Sequence, residues 1–193
     1  MLKKVSLFVI IILLVKGCGL FDVRDSEPPV NPRDTNQFAT SSEMLIKNFI
    51  TSVREMNADN YTANFADSVQ SGFKYIFTPS SNAALIYPVF SGEWGREEEN
   101  RYFRNFLAEL SEERKVTITL TDSVINRYGD SALFICKYSL AVPPSSNQQL
   151  LTYSGEMRLR MKVNKNLIWE IFHWEDYKTT INPSWSDLKG EKY

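Results

Sequence analysis

The chain has 193 residues, with 22 Lys and Arg against 23 Asp and Glu, a formal net charge of −1, one histidine and two cysteines. A near-neutral balance without Lys/Arg clusters excludes the electrostatic footprint of a nucleic-acid-binding protein. One histidine and no Cys/His cluster exclude a His-rich or zinc site, so no metal and no cofactor is expected.

Met1-Leu-Lys-Lys is a basic start, and residues 5–15 are apolar apart from Ser6. The run is too short for a transmembrane helix, which needs about 20 residues, and it suits the apolar region of a signal peptide. It ends in Lys16, Gly17 and Cys18. This ending resembles a bacterial lipobox, in which a small residue precedes a cysteine that is diacylated and becomes the new N-terminus. Gly17 and Cys18 match the pattern and Val15 fits it; Lys16 departs from it, because a small neutral residue is usual there. The resemblance implies a signal peptide over 1–17, a lipid on Cys18 and a tether to a membrane of the cell envelope. Gly19 in place of Asp implies, by the sorting rule of such lipoproteins, the outer membrane. The other reading is an ordinary secretory signal, or an uncleaved anchor, with Cys18 incidental.

Residues 18–39 carry three prolines and many polar residues with no helical or strand period. They read as a disordered spacer, dispensable for the folding of a domain over 40–180, with a tail over 181–193. Thr40 with Glu43 predicts a capping box and a helix over 41–56, with Met44, Leu45, Phe49, Ile50, Val53 and Met56 at helical spacing. A shorter helix is predicted near 60–69. The stretch "KYIFTPSSNAALIYPVF" predicts a loop with little regular structure. A third helix is predicted over 91–110, with Trp94, Tyr102, Phe103 and Phe106 inward. Glu97 to Glu99 fall on its solvated early turns, with Glu97 pairing Arg101; a catalytic carboxylate pair is the sharper alternative there.

From Val116 the period changes to 2, predicting strands over 116–128, 131–142, 150–163 and 167–178. Cys136 falls in the inward series Ala132, Phe134, Cys136, Tyr138, Leu140 and reads as a small buried hydrophobe. Helices followed by a long antiparallel meander predict an α+β fold, with the helices packed on one side of a curved sheet.

The early helices, the aromatic segment after them and the long strands ending in "LIWEIFHWEDY" resemble the NTF2-like, or SnoaL-like, superfamily of cystatin-like cones. Trp169 to Ile171 stands where that superfamily often has Trp-x-Ile, followed by an aromatic and an acid, here Trp174 and Asp176. The resemblance covers roughly 40–180 and rests on topology, with no diagnostic motif. It implies a cavity between sheet and helices that takes an apolar small molecule, supports acid–base chemistry, or is filled.

Strand parity places Asp122 and Asn126 on the concave face, and His173 with them. An Asp and a His in an apolar pocket could abstract and return a proton, with Asn126, Tyr138, Tyr153 and Trp169 lining it. A second reading makes Asp122 in "LTDSV" the start of a bulge that reverses parity, and sets His173 separately near the sheet rim, bonded to solvent or backbone. The same parity turns Leu133, Ile135, Ile168, Phe172 and Trp174 outward as an apolar contact surface. The Trp185 tail, the N-terminal spacer or a second protein, whether a homodimer partner or an envelope protein, would cover it. Three functions follow: a tethered, non-catalytic binding or scaffold lipoprotein; a small-molecule enzyme using Asp122 and His173; or a docking subunit of an envelope complex using Phe172 and Trp174.

Overall fold

Ser41 caps the first helix, α1 (Ser42–Arg54), its hydroxyl accepting from the Met44 amide at 3.2 Å, one residue beyond the expected Thr40. The coordinates are a computed structural model that describes residues 37–110, 115–143 and 150–193. Cys18, the expected signal peptide and most of the expected spacer lie outside the described residues. Leu45, Ile46, Phe49 and Val53 of α1 recur at helical spacing and are buried, and Met56 takes a left-handed φ of 55° just beyond the helix end.

The second predicted helix is divided into α2 (Ala58–Thr62) and α3 (Ser68–Ser71). The division has a local cause. The Asn64 side-chain amide donates back to the Asn60 and Tyr61 carbonyls, closing α2, and the backbone of Asn64 and Ala66 then pairs with Ile171. The expected loop over 74–90 instead holds β1 (Ile76–Thr78), α4 (Ser81–Ile86) and a 3₁₀ turn over Pro88–Ser91. Strand β1 runs parallel to the last strand and Ser80 caps α4, so tertiary pairing orders a segment with no period of its own. Helix α5 spans Arg96–Ala108, five residues shorter at its start than expected.

Strands β2 (Thr117–Tyr128), β3 (Ser131–Val142), β4 (Leu151–Val163) and β5 (Trp169–Tyr177) fall within one or two residues of their predicted limits. They form a five-stranded sheet in the order β1-β5-β4-β3-β2, with every pairing but β1–β5 antiparallel. Gly129 makes the β2–β3 turn at φ 62°, a conformation glycine adopts without steric cost. The outer edge of β5 is covered along its length. The Trp169 amide donates to the Ala39 carbonyl, Ile171 pairs with Asn64 and Ala66, and His173 to Glu175 pair with β1. Asn48 also bonds the Gln37 carbonyl. The end of the expected spacer, residues 37–39, is therefore part of the domain, and a chain begun at Thr40 loses a sheet-edge contact.

Two bulges decide which residues enter the concave face. In β2 the register shifts between Thr121 and Val124, with Asp122 at φ 53°. Beyond it Ile125 pairs with the inward Phe134, and Asn126 pairs with the outward Leu133. In β5 Ile171 pairs with Met161 but His173 pairs with Arg160, leaving Phe172 as the extra residue. Each bulge reverses the parity that strict alternation imposes.

The predicted tail contains a helix, α6 (Trp185–Lys192). It lies not on the outer sheet face but inside the cone, where Trp185, Leu188 and Lys189 have no exposed surface.

Candidate functional site

Glu99 sits at the centre of the cone. Its spacing to Tyr102, Phe103 and Phe106 is 3, 4 and 7 residues, so α5 carries all four on its apolar face, and all are buried. Its carboxylate accepts from Tyr61 Oη at 2.6 Å, Tyr75 Oη at 2.9 Å, Trp94 Nε1 at 2.8 Å and Lys189 Nζ at 2.7 Å. Trp and the ammonium can only donate, so Glu99 is an acceptor at each of these contacts. Burial and the neighbouring carboxylate push the Tyr61 and Tyr75 phenols well up, keeping them protonated as donors.

Lys189 enters this site from α6. Its Nζ lies 3.4 Å from the Phe77 ring centroid and 3.7 Å from that of Trp174, with Tyr102 and Trp94 at 5.7 and 5.8 Å. Glu99 and Lys189 are both 0% exposed. Burial pushes the ammonium down to about 8, with the Glu99 carboxylate pulling the other way.

A second buried carboxylate fixes the start of α6. Asp176 accepts from Tyr138 Oη at 2.7 Å, from the Ser186 amide at 2.8 Å and from the Ser186 hydroxyl at 2.5 Å. Tyr138 Oη in turn accepts from the Trp185 amide, and Trp185 Nε1 donates to Tyr102. An anion beside exposed helix-start amides is favourable. Gly155, the cross-strand partner of Tyr138, makes room for this network, since a Cβ there would lie 2.8 Å from Tyr138 Oη and 2.4 Å from the Tyr177 carbonyl. Gly190 does the same for α6, where a Cβ would meet the Tyr87 ring at 2.3 Å.

The expected acid–base residues lie elsewhere. Asp122 is on the outer side, ion-paired with Lys137 at 2.8 Å and largely exposed. Asn126 is exposed on the same side, beyond the β2 bulge. His173 faces outward beside Arg160, bonded to Thr78 Oγ1 at 2.8 Å, and partial burial pushes its imidazolium down. Among the expected pocket residues, Tyr138 and Tyr153 point into the cone. Tyr138 is engaged with Asp176 and Tyr153 with Glu191. Trp169 is buried at the rim and borders an open recess of ≈640 Å³ with Gln37, Asn48, Asn64 and Asn164.

The contact-surface residues also divide. Trp174 points inward with no exposure and meets Trp185 edge-to-face at 4.9 Å. The Trp185 tail, one of the alternative covers, does reach Trp174, but on the opposite face of the sheet. Phe172, at the bulge, is half-buried against Phe73 at 6.0 Å. Leu133 and Ile135 are half-buried beside their cross-strand partners Arg160 and Arg158, whose long stems can cover apolar surface while the heads stay wet. Cys136 is buried, and burial pushes its thiol up to about 12, so it is an inert core residue. No group of metal-ligating side chains occurs among the described residues, and no helix among them is long and apolar enough to cross a membrane.

Glu99, expected on the solvated face with Glu97, is instead buried, and its spacing to Tyr102, Phe103 and Phe106 is the signal for it. Lys189 carries no such signal, because its partner Glu99 stands 90 residues away. Asp176 stands out only as the acid after the Trp-x-Ile element, and it meets Tyr138 and Ser186, 38 and 10 residues away. Arg101 does not pair with Glu97 as expected; it donates to Tyr193 Oη at 2.7 Å.

No protein-family model and no curated protein matches the sequence. Solved structures do match the fold. A putative dehydratase from the NTF2-like family of Streptomyces avermitilis superposes with a TM-score of 0.55 at 13% identity, over 71% of this chain and 93% of the other. An NTF2-like protein of unknown function in nutrient uptake from Rhodospirillum rubrum gives 0.53 at 10% identity, over 72% and 99%. An NTF2-like superfamily protein from Salmonella enterica serovar Typhimurium gives 0.51 at 16%, over 71% and 89%. The described domain therefore has the NTF2-like, cystatin-like cone fold. At such identities the likeness concerns the fold alone, and function has to be argued from the site.

Proposed function

We propose that the protein is a non-catalytic binding or scaffold protein of the bacterial cell envelope, tethered through a lipid on Cys18, with the outer membrane as its site. The observation that carries the non-catalytic half is the cone interior, filled by the chain's own Trp185, Leu188 and Lys189. A proton-transferring pocket needs an acid or base facing space that a substrate can enter. Glu99 here has four donors and Asp176 three. Asp122 and His173 stand on the outer side, apart from the cone. The docking-subunit alternative no longer has Trp174 to rest on, since that ring is turned inward. The tether is supported by the basic start, the apolar run and the Gly17-Cys18 ending in their expected order.

Complementing a deletion strain with three genes tests both halves. The wild-type protein is expected in the membrane fraction, with acyl mass on its N-terminal peptide. Cys18→Ser is expected to lose both. The pair Asp122→Asn with His173→Gln is expected to behave as wild type. A wild-type N-terminal peptide without lipid overturns the tether. Loss of the cellular phenotype in the stable double variant overturns the non-catalytic reading.

A further inference from the structure

The Lys189 ammonium is surrounded as a bound cation would be. Its walls are Phe77 of β1, Trp174 of β5, Trp94 and Tyr102, and its anchor is Glu99 of α5. Every one of these groups comes from an element other than α6. Aromatic faces joined to a carboxylate are the chemistry by which proteins hold organic ammonium ions.

Two observations separate this arrangement from an ordinary buried ion pair. Glu99 is held by three neutral donors, Tyr61, Tyr75 and Trp94, so its position does not depend on Lys189. Trp174 Nε1, by contrast, is buried without a hydrogen-bond partner among the described residues, while its ring face lies against the cation. That indole is used for its face. The 2.7 Å Nζ–Oε2 bond further requires an N–H on the cation, which a quaternary ammonium lacks and a primary one has.

We infer that the cone holds a receptor site for a primary alkylammonium group, which the chain fills in cis with Lys189, so that α6 is held in place as a ligand. The inference rests on the reading of this protein as a binding protein, and it adds the chemical class that the interior recognises: an ammonium on a short, unbranched apolar stem. A lysine of another chain or a small primary amine has that chemistry.

Lys189→Ala in the full chain removes three methylenes and the ammonium, which together correspond to n-propylammonium. Thermal melts of that variant are expected to rise saturably, by several degrees, as n-propylammonium is added at constant ionic strength. Wild type and Lys189→Met, whose side chains fill the space, are expected not to respond, and 1-propanol is expected to have no such effect on Lys189→Ala. Adding Glu99→Gln to Lys189→Ala is expected to abolish the amine response. If Lys189→Ala does not fold alone, its refolding yield with amine becomes the readout, and recovery by n-propylammonium but not 1-propanol is expected. No saturable response in either format overturns the inference, as does an equal response to 1-propanol, which would mark a plain apolar cavity. Either result leaves the fractionation of the Cys18 variants untouched, so failure of this site and failure of the tether are separable.

Discussion

Replacing Glu99 with alanine is expected to cost about 3–5 kcal/mol, the scale for leaving one partner of a buried ion pair uncompensated. The Lys189 ammonium would be stranded among aromatic rings, and Tyr61, Tyr75 and Trp94 would lose their acceptor at the same time. An unsatisfied buried donor costs a further ~1–3 kcal/mol, and the losses are not additive because the cavity admits water. Against a typical domain stability of about 5–15 kcal/mol, this is a large share. Urea denaturation is expected to show a midpoint far below wild type, or no cooperative transition. Glu97→Ala, two residues away on the exposed side of the same helix, is the control and is expected within about 0.5 kcal/mol of wild type. Equal behaviour of the two variants would return Glu99 to the solvated face.

Ending the chain after Lys178 is expected to have an effect as large by a different route. Trp185 and Leu188 are fully buried, and each such side chain contributes roughly 1.5–3 kcal/mol on burial. Their removal bares Trp174, Tyr138 and Tyr102, and takes Ser186 and the Trp185 amide from the Asp176–Tyr138 network. The shortened chain is expected to lose its cooperative melt, bind a hydrophobic dye and associate through the opened cone. An unchanged melting curve would mean that α6 is an appendage and that the cone is closed by other means.

Strand limits were legible because period-2 alternation over a dozen residues is a strong signal, and β4 keeps it from Gly155 to Lys162, although Leu151 is exposed and Ser154 buried. Alternation leaves its own interruption in β2 as one of two readings, the bulge at Asp122, which is the one the register shows, and gives no sign of the interruption in β5. The β2 bulge is carried by Asp122 at positive φ, and the β5 bulge by Phe172, which looks like any strand residue. Strict parity fails at and past each bulge, which is why Asp122 at the first, and Asn126, His173 and Trp174 beyond, stand on the other face. The segment over 74–90 differs from its expected loop for another reason. β1 is three residues long and exists by pairing with β5, 97 residues on, so no local pattern announces it.

The site was half legible. Glu99 stands at helical spacing from Tyr102, Phe103 and Phe106, and a charged residue on an apolar face asks for a buried partner. That partner could not be read, because Lys189 lies 90 residues on, in a short helix of low amphipathicity. The Trp185 tail, one of the three covers open to Trp174, does meet it, but without Phe172, which packs on Phe73. The meeting is on the other face, since the same bulge that moves His173 outward moves Trp174 inward.

The central claim is that Lys189 of α6 and Glu99 of α5 meet inside the cone and close it. A double-mutant cycle with Glu99→Gln, Lys189→Met and the pair together, followed by urea denaturation, tests it most directly. The double variant is expected to lose less stability than the sum of the two single losses, with a coupling of about 2–3 kcal/mol, since removing both charges leaves neither one stranded. Losses that add to within about 0.5 kcal/mol would show that the two residues do not interact, and would contradict the filled cone.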